Sequence, residues 1–484
     1  MCMSENVVTI SLKDNSFRTL EQAGATVTNA SSVYRSLSQI AGIALERMES
    51  DNLLLFPQHL SASADEIGKL LILDIEHADE SDEEQLLQKT ISTGNLMGFF
   101  RLGETQVNIT SRFSDSNSED FFLQYMLCRI FHLNVVSLIH SFERKDFFEL
   151  YVLLFNGFLK RALKKGLFRL YKTVLHNDLA VKGPIDICRH IKENNPFGGS
   201  ISYISREYSY DNYVIQLIRH TIDYIERTHR FSYLLSADQE IKQFVQIIKE
   251  QTPEFNRKSK KRVVLQNRKT VRHPYFIEYT ALQHLCLLIL KKEKIGYWDS
   301  SRNLSGILFD GAWLWEEYLA ELLRGANLGF IHSENRKARN GIEIYHGNIC
   351  FPDFYRKDDT NEAFSNNCVL DAKYQHLEDG FKPDGLHQLI TYMHVLPAKT
   401  GALVYPCSNN DKKAESILRK PGFSQYSPKE NLRGLGGSAC LLSFPVPSVA
   451  SCDGDIKTFS SRMVEIEKSF LKRVIEFSKE SNPV

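Results

Sequence analysis

The N-terminal part of the chain, up to about residue 115, consists of short apolar runs that Gly, Asn and Ser interrupt. The runs NVVTISL, KLLILDI and NLMGFFRLGETQVNITSRF have the lengths and the β-branched or aromatic content of strands. Residues 20–48, between the first two runs, have helical spacing of their apolar positions. The pattern predicts a β-rich N-terminal domain over residues 1–117.

Longer segments with apolar residues three and four positions apart follow, from Glu119 to about Lys294. Examples are DFFELYVLLFNGFLKRALKKGLFRLY and DNYVIQLIRHTIDYIERT. They predict a mainly helical middle region over residues 118–295. Gly, Pro and β-branched residues interrupt it at 182–212, which predicts a strand pair or an irregular connection, with Asp211 capping the next helix.

The last part of the chain alternates helical and strand patterns. The helical pattern FDGAWLWEEYLAELLRGAN precedes several apolar strands, and the helical pattern DGLHQLITYMHVL precedes the strand TGALVYP. Such alternation is typical of an α/β domain, here over residues 296–484. A helical tail from Asp455 closes this domain or joins a partner. The fold class that these three parts predict is α+β multidomain.

Composition and charge exclude several classes of protein. With 43% hydrophobic and 24% charged residues, the chain has ordinary globular composition. Its nine cysteines are scattered without a C-x-x-C pair, which favours reduced thiols over disulfides or a zinc site. The most apolar stretch, residues 151–159, is shorter than the ~20 residues of a membrane span, and the start does not resemble a secretory signal. We expect a cytoplasmic protein without a membrane contact.

Lys plus Arg equals Asp plus Glu at 59 each, so a nucleic-acid surface would need local clustering of positive charge. Residues 256–274 provide such a cluster, with eight basic residues and no acidic one. They could contact DNA phosphates, or they could form a solvated surface, and both interpretations stay open. The eight residues are Arg257, Lys258, Lys260, Lys261, Arg262, Arg268, Lys269 and Arg272.

The candidate chemistry lies in the stretch 351–375, where Asp353 follows a proline and Asp371 stands two residues before Lys373. In a strand, Asp371 and Lys373 would leave the same face, and an antiparallel pairing could bring Asp353 beside Asp371. Adjacent carboxylates repel unless a cation lies between them, and oxygen ligands suit Mg²⁺. The alternative is structural: the aspartates cap strands, and Lys373 is a surface residue paired with one of them.

PDF, followed by DAK 18 residues after its aspartate, resembles the core of the PD-(D/E)xK nucleases. The resemblance implies that Asp353, Asp371 and Lys373 are catalytic and that both aspartates bind the metal. The helix before this core often lends a glutamate, here Glu316 or Glu317. In the RecB-like branch the helix after it often carries Gln-x-x-x-Tyr, which Gln388 and Tyr392 match.

The order of these motifs resembles more narrowly the nuclease half of McrC, the endonuclease subunit of McrBC-type (5-methylcytosine) restriction systems. In that family the glutamate helix reads roughly Leu-Phe-Glu, which selects Glu316 as a further metal ligand or ligand orienter. Segments 94–113, 181–187 and 208–218 are similar to upstream parts of McrC. The residues matched to catalysis are Asp353, Asp371, Lys373, Glu316, Gln388 and Tyr392.

The resemblance implies a Mg²⁺-dependent nuclease that cuts double-stranded DNA. It also implies that the chain works with an McrB-like AAA+ GTPase subunit and stimulates the NTPase of that subunit. Its N-terminal domain would act as an adaptor. The chain has no G-x-x-x-x-G-K-[ST] loop, so we expect it to bind no nucleotide itself. Two alternatives remain: a catalytically silent adaptor that activates an NTPase ring, and a RecB-like DNA-repair nuclease.

Overall fold

The structure, a computed structural model, describes residues 8–44, 53–57, 71–76, 82–115, 120–131, 147–228, 231–236, 238–269, 271, 273–292, 304–333, 341–356, 367–408, 429–432 and 437–479. The fold is mixed α/β, with several sheets and helices. The chain groups into two compact units, one formed by Met1–His140 with Asp299–Val484 and the other by Ser141–Trp298.

Strands and helices alternate irregularly along the described residues. In chain order, the strands are β1 (Val8–Lys13), β2 (Phe17–Thr19), β3 (Leu53–Phe56), β4 (Leu73–Ile75), β5 (Thr90–Thr93), β6 (Leu96–Leu102), β7 (Thr105–Thr110), β8 (Leu170–Asp178), β9 (Ile201–Ser209), β10 (Ser305–Asp310), β11 (Ile331–His332), β12 (Ile342–Tyr345), β13 (Asn348–Cys350), β14 (Phe354–Arg356), β15 (Cys368–Ala372), β16 (Thr400–Ser408), β17 (Lys429–Asn431) and β18 (Ser438–Val446). The helices are α1 (Ala30–Ser38), α2 (Glu83–Leu87), α3 (Phe121–Phe131), α4 (Phe147–Lys164), α5 (Ile187–Glu193), α6 (Tyr213–Arg227), α7 (Gln239–Glu250), α8 (Lys260–Gln266), α9 (Glu278–Lys292), α10 (Gly311–Gly325), α11 (Pro383–Val395) and α12 (Ile456–Lys479).

The first sheet of the larger unit joins sequence-distant segments in the order β1-β7-β6-β10-β3. β10 runs antiparallel to β6 and parallel to β3, although it lies about 200 residues after β6 in the chain. Gly98 permits the close approach of these strands, because a Cβ there would lie 2.3 Å from the carbonyl oxygen of Ile307. The three-domain division predicted from sequence stays a prediction, while this sheet joins residues from the first and third of those segments.

A hydrophobic core supports this sheet. Phe100, Ile109 and Leu308 are fully buried or nearly so, and the same cluster includes Val33 and Leu37 of α1. Burying one such side chain contributes roughly 1.5–3 kcal/mol relative to leaving it in water. The core therefore fixes β10, and with it the helix α10 that follows β10 directly in sequence.

The second sheet has the order β11-β14-β15-β16-β18-β17, with β15, β16 and β18 parallel. The apolar residues of 342–354 predict one strand that Asp353 ends, and this prediction is wrong: β12 and β13 form a separate hairpin, and β14 begins at Phe354. β14 pairs antiparallel with β15 as predicted, with Phe354 opposite Leu370. Helix α11 packs against β15 and β16.

Helices α10 and α12 complete the larger unit. The indole Nε1 of Trp315 donates to the carbonyl of Val404 at 3.2 Å, so Trp315 is a core residue. The predicted C-terminal helix exists as α12, and its buried Glu467 accepts hydrogen bonds from Tyr125 (3.0 Å) and Tyr318 (2.8 Å). These bonds satisfy a carboxylate that would be costly to bury alone. The tail thus closes this unit, one of the two expectations for it.

The smaller unit is mainly helical, as the spacing predicts, and also carries the antiparallel pair β8–β9. Helices α4 and α6 both pack against α9. The predicted cap of α6 at Asp211 was wrong, because Asn212 accepts from the amides of Val214 and Ile215. Asp211 instead accepts from the side chain of Gln216 at 2.5 Å.

None of the helices in the described part of the chain has the length and apolar character needed to cross a bilayer. The eight cysteines among the described residues are unbridged.

Candidate active site

Asp371 lies on β15, between β14 and β16, and its side chain is almost fully buried. Burial raises the pKa of Asp371 above its ordinary value, and the neighbouring Lys373 partly opposes this shift. Its Oδ2 lies 2.7 Å from Nζ of Lys373. This ion pair supplies opposite charge to an acid that the strand holds away from water.

Asp353 stands immediately before β14, so the antiparallel register of β14 and β15 brings it to the end of β15. Its Oδ2 accepts a hydrogen bond from the backbone amide of Ala372 at 2.7 Å. Burial raises the pKa of Asp353 well above its ordinary value, and the charges of Asp371 and Glu316 raise it further. The two aspartates therefore share a desolvated site in which neither is stable as an isolated anion.

Lys373 leaves the end of β15 toward α11. Besides its ion pair with Asp371, its Nζ donates to Oε1 of Gln388 at 2.7 Å, and its backbone amide donates to the carbonyl of Val404 at 2.8 Å. An ammonium group only donates hydrogen bonds, so the amide of Gln388 must present its oxygen to Lys373. The ammonium is thereby held between a carboxylate and an amide oxygen.

Gln388 and Tyr392 lie one turn apart on α11, as their spacing predicts. Nε2 of Gln388 donates to the hydroxyl of Tyr392 at 2.7 Å. Burial raises the pKa of Tyr392, with a contribution from the charge of Asp371. The structure thus joins Asp371, Lys373, Gln388 and Tyr392 in one chain of polar contacts.

Glu316 projects from α10, and its charge acts on both aspartates. Its Oε1 accepts from Nε2 of His332 at 2.8 Å, and the His332 ring stacks on Phe354 with centroids 5.0 Å apart. From sequence, His332 is interpreted as a surface or packing histidine without a role in the site, because it matches no metal-binding spacing. Only the pairing of β11 with β14 places it here.

The donor set fits Mg²⁺. Oδ2 of Asp371 is buried and accepts no well-directed hydrogen bond from any described residue, despite its contact with Lys373. Among the described residues, no three His, Cys, Asp or Glu side chains form a complete metal-binding group. Mg²⁺ does not need one, because it keeps several waters and is held in proteins by one or two carboxylates plus substrate phosphate. Asp353 and Asp371 are the residues that would hold it.

A buried polar network behind Lys373 was also missed from sequence. The next residue, Tyr374, contacts the hydroxyl of Ser111 through its own hydroxyl at 2.7 Å, and its carbonyl accepts from Arg112 at 3.3 Å. Arg112 is paired with the fully buried Asp14 at 2.5 Å. No local signal identifies these partners, because they lie more than 250 residues from Tyr374 in sequence.

The predicted basic segment lies on the surface of the smaller unit, around α8. Arg257 is bound to Asp223, with Nη2 and Oδ1 2.7 Å apart, which neutralises its charge locally. Lys260 is partly buried, with Nζ 5.8 Å from the ring centre of Tyr224. The side chains of Lys258, Lys261, Arg262, Arg268 and Lys269 are exposed. Arg272 lies outside the described residues.

Comparison with known protein families identifies one family. Residues 91–406 match the family described as McrBC 5-methylcytosine restriction system component. Two solved structures are similar. One is a half-complex from the tetradecameric assembly of Thermococcus gammatolerans McrB AAA+ hexamers with bound McrC, with 14% identity, coverage of 95% of this chain and 99% of that chain, and a TM-score of 0.43.

The other is the Thermococcus gammatolerans McrBC complex, with 12% identity, coverage of 67% of this chain and 90% of that chain, and a TM-score of 0.31. TM-scores of this size do not establish a shared fold. No curated protein matches the sequence.

Proposed function

This chain belongs to the McrBC 5-methylcytosine restriction system component family, and we propose that it is the Mg²⁺-dependent DNA endonuclease subunit of an NTP-dependent restriction system. The observation that carries the proposal is the pair Asp353 and Asp371 beside Lys373, in which Asp371 is almost fully buried. A PD-(D/E)xK nuclease fold for the second sheet and its helices accounts for this arrangement. The proposed setting is the cytoplasm.

Asp353 and Asp371 would hold the ion. The charge of Asp371 raises the pKa of Asp353, and a divalent cation held by the two carboxylates would offset that repulsion. Mg²⁺ bound there would supply Lewis acidity toward a phosphoryl oxygen and a more acidic water. The amide of Ala372 fixes one oxygen of Asp353, so its carboxylate is already oriented.

Lys373 and its helix partners would act on the phosphate. The Nζ of Lys373 can neutralise negative charge that develops on the phosphoryl oxygens, which is worth most in a site with little water. Gln388 restrains that ammonium, and Tyr392 in turn restrains the amide of Gln388. We therefore assign Lys373 a catalytic role and Gln388 with Tyr392 a role in orienting it.

Double-stranded DNA is the proposed substrate, with the exposed basic residues around α8 contacting its backbone. Each neutralised phosphate adds affinity that falls with salt. The chain would work with an McrB-like AAA+ GTPase subunit and stimulate it. Exposed apolar side chains in the smaller unit support a protein partner, since Leu175 of β8, Leu179 after it and Ile187 of α5 are 58%, 78% and 65% exposed.

Asp371→Asn tests the proposal, because it keeps the shape of the side chain and removes its charge. The full chain is combined with its NTPase partner, Mg²⁺, GTP or ATP, and plasmid DNA. We expect the variant to lose plasmid cleavage by roughly 10³-fold or more, while still stimulating the partner's NTPase. Asp384→Asn, an exposed acid in the first turn of α11, is the matched control.

Full cleavage by Asp371→Asn would exclude the proposed site. A parent chain that stimulates the NTPase but never cuts DNA would favour the silent adaptor. Cleavage that needs no NTPase partner would favour a repair nuclease.

A further inference from the structure

The two-residue strand β11 and the residue after it contact two acids of the candidate metal site, Asp353 and Glu316. The backbone amide of Ser333, directly after β11, donates to the backbone carbonyl of Asp353 at 3.1 Å. The side chain of His332 reaches the other way, to Glu316 on α10. The segment 332–333 therefore links Asp353, just before β14 of the second sheet, to Glu316 on α10.

The imidazole of His332 is held in place. Its side chain is only 11% exposed, and its ring lies nearly parallel to that of Phe354, at an interplanar angle of 24°. Phe354 is fully buried and follows Asp353 in sequence, so the ring packs on the strand that presents Asp353. A side chain restrained by packing can restrain its own hydrogen-bond partner in turn.

The bond to Glu316 has a defined direction. A carboxylate oxygen has no proton to donate, so Nε2 of His332 carries the hydrogen and Oε1 of Glu316 accepts it. This bond engages Oε1, and Oε2 would be the oxygen that Glu316 offers to a cation or one of its waters. Without this bond, Glu316 could leave the site, because its side chain has three rotatable bonds and is 28% exposed.

We propose that His332 is a positioning residue that holds Glu316 toward the cation site formed by Asp353 and Asp371. The inference rests on the proposed function and deepens it, because it assigns the control of metal affinity to a residue that is not itself a ligand. Hydrogen bonds to ligating carboxylates tune metal sites in this way, and their loss typically lowers metal affinity 10–100-fold.

Binding of Mn²⁺ to the purified full-length chain tests the inference without DNA or turnover, since Mn²⁺ takes the same oxygen ligands as Mg²⁺. The free-ion electron paramagnetic resonance signal measures the bound fraction. We expect His332→Leu to weaken Mn²⁺ binding roughly 10–100-fold. His332→Gln should bind like the parent, because its amide nitrogen can replace Nε2 as the donor. His346→Leu, at an exposed site, is the control and should change nothing.

Equal Mn²⁺ affinity in the parent and in folded His332→Leu would overturn the positioning role while leaving the proposed nuclease intact. A parent that neither binds Mn²⁺ nor cuts DNA would overturn the proposed function itself. If His332→Leu does not fold, His332→Asn replaces it, because its shorter side chain cannot place a donor at the position of Nε2. Asn and Gln variants with the same affinity would then contradict the inference.

Discussion

The molecule contains two clusters of charge that the sequence marks as functional, and they differ in burial. Around Asp353, Asp371 and Lys373, each charged group is restrained by a neighbour, Asp371 is almost fully buried, and the side chain of Lys373 is 21% exposed. Around α8, most basic side chains are exposed, and Arg257 is neutralised by Asp223. The side chains of the first cluster are restrained by specific contacts, whereas most of those in the second are exposed to solvent.

This difference predicts how each cluster responds to change. In a desolvated site, one missing charge leaves its partners uncompensated, so single substitutions have large effects. On an exposed surface, water and salt screen each charge, so effects are small and close to additive. Substitutions in and around the two clusters test that contrast, beginning with the largest expected effect.

Replacing one lysine in each cluster gives the sharpest contrast. We expect Lys373→Met to reduce the single-turnover rate of plasmid cleavage roughly 10²–10³-fold, because a preorganised charge beside the phosphate is lost. Lys261→Met, at an exposed site on α8, should change that rate only slightly. Similar losses in the two variants would show that burial does not distinguish the clusters.

Two glycines at opposite ends of α10 test the packing behind the site. A Cβ on Gly311 would lie 2.6 Å from Cε1 of Tyr374, whereas a Cβ on Gly325 would meet nothing within 4 Å. Gly311→Ala should therefore destabilise the protein by about 1–3 kcal/mol through overpacking. Gly325→Ala should be neutral or slightly stabilising. Thermal unfolding of both variants measures the difference, and equal midpoints would contradict the packing described for Tyr374.

The exposed cluster is tested by the salt dependence of DNA binding, in an Asp371→Asn background that prevents cleavage. The double substitution Lys261→Ala with Arg262→Ala should weaken binding severalfold and reduce the slope of log affinity against log salt by about one per residue. Arg257→Ala should change the slope less, because Asp223 already neutralises it. An unchanged slope in the double variant would exclude phosphate contact by these residues.

Asp120 is a buried acid that belongs to neither cluster, so it tests the effect of burial by itself. Burial raises the pKa of Asp120 to about 6, the charge of Asp14 adds to the shift, and Lys13 opposes it. Because the folded state then binds its proton at higher pH than the unfolded state, this group adds stability as pH falls from about 6 towards 4, and that stability is lost as pH rises through about 6.

We expect Asp120→Asn to flatten the pH dependence of the free energy of unfolding between pH 4 and 7, by on the order of a few kcal/mol at most. The melting temperature of the variant, measured across this range, should therefore vary less than that of the parent. Asp455→Asn is the control, because local hydrogen bonds lower the pKa of Asp455 and place its effect below this window. A slope unchanged by Asp120→Asn would contradict the raised pKa.

The sequence by itself determined the local elements and named the residues of the candidate site. Apolar spacing located α10, α11 and α12, and the interval between Asp353 and Asp371 anticipated the antiparallel pair β14–β15. The step from Gln388 to Tyr392 predicted one helix face. These inferences succeed because strand and helix periods are short, so a few consecutive residues fix which side chains point together.

Only the tertiary structure decided which distant segments meet. Nothing near β10 in sequence indicates that it lies between β6 and β3, and nothing near His332 indicates Glu316 as its partner. The pair Asp14 and Arg112 reaches the site through Tyr374 in the same way. Such contacts depend on strand order and register across the whole unit, which local periodicity does not encode, because any strand with one apolar face can pair at many places.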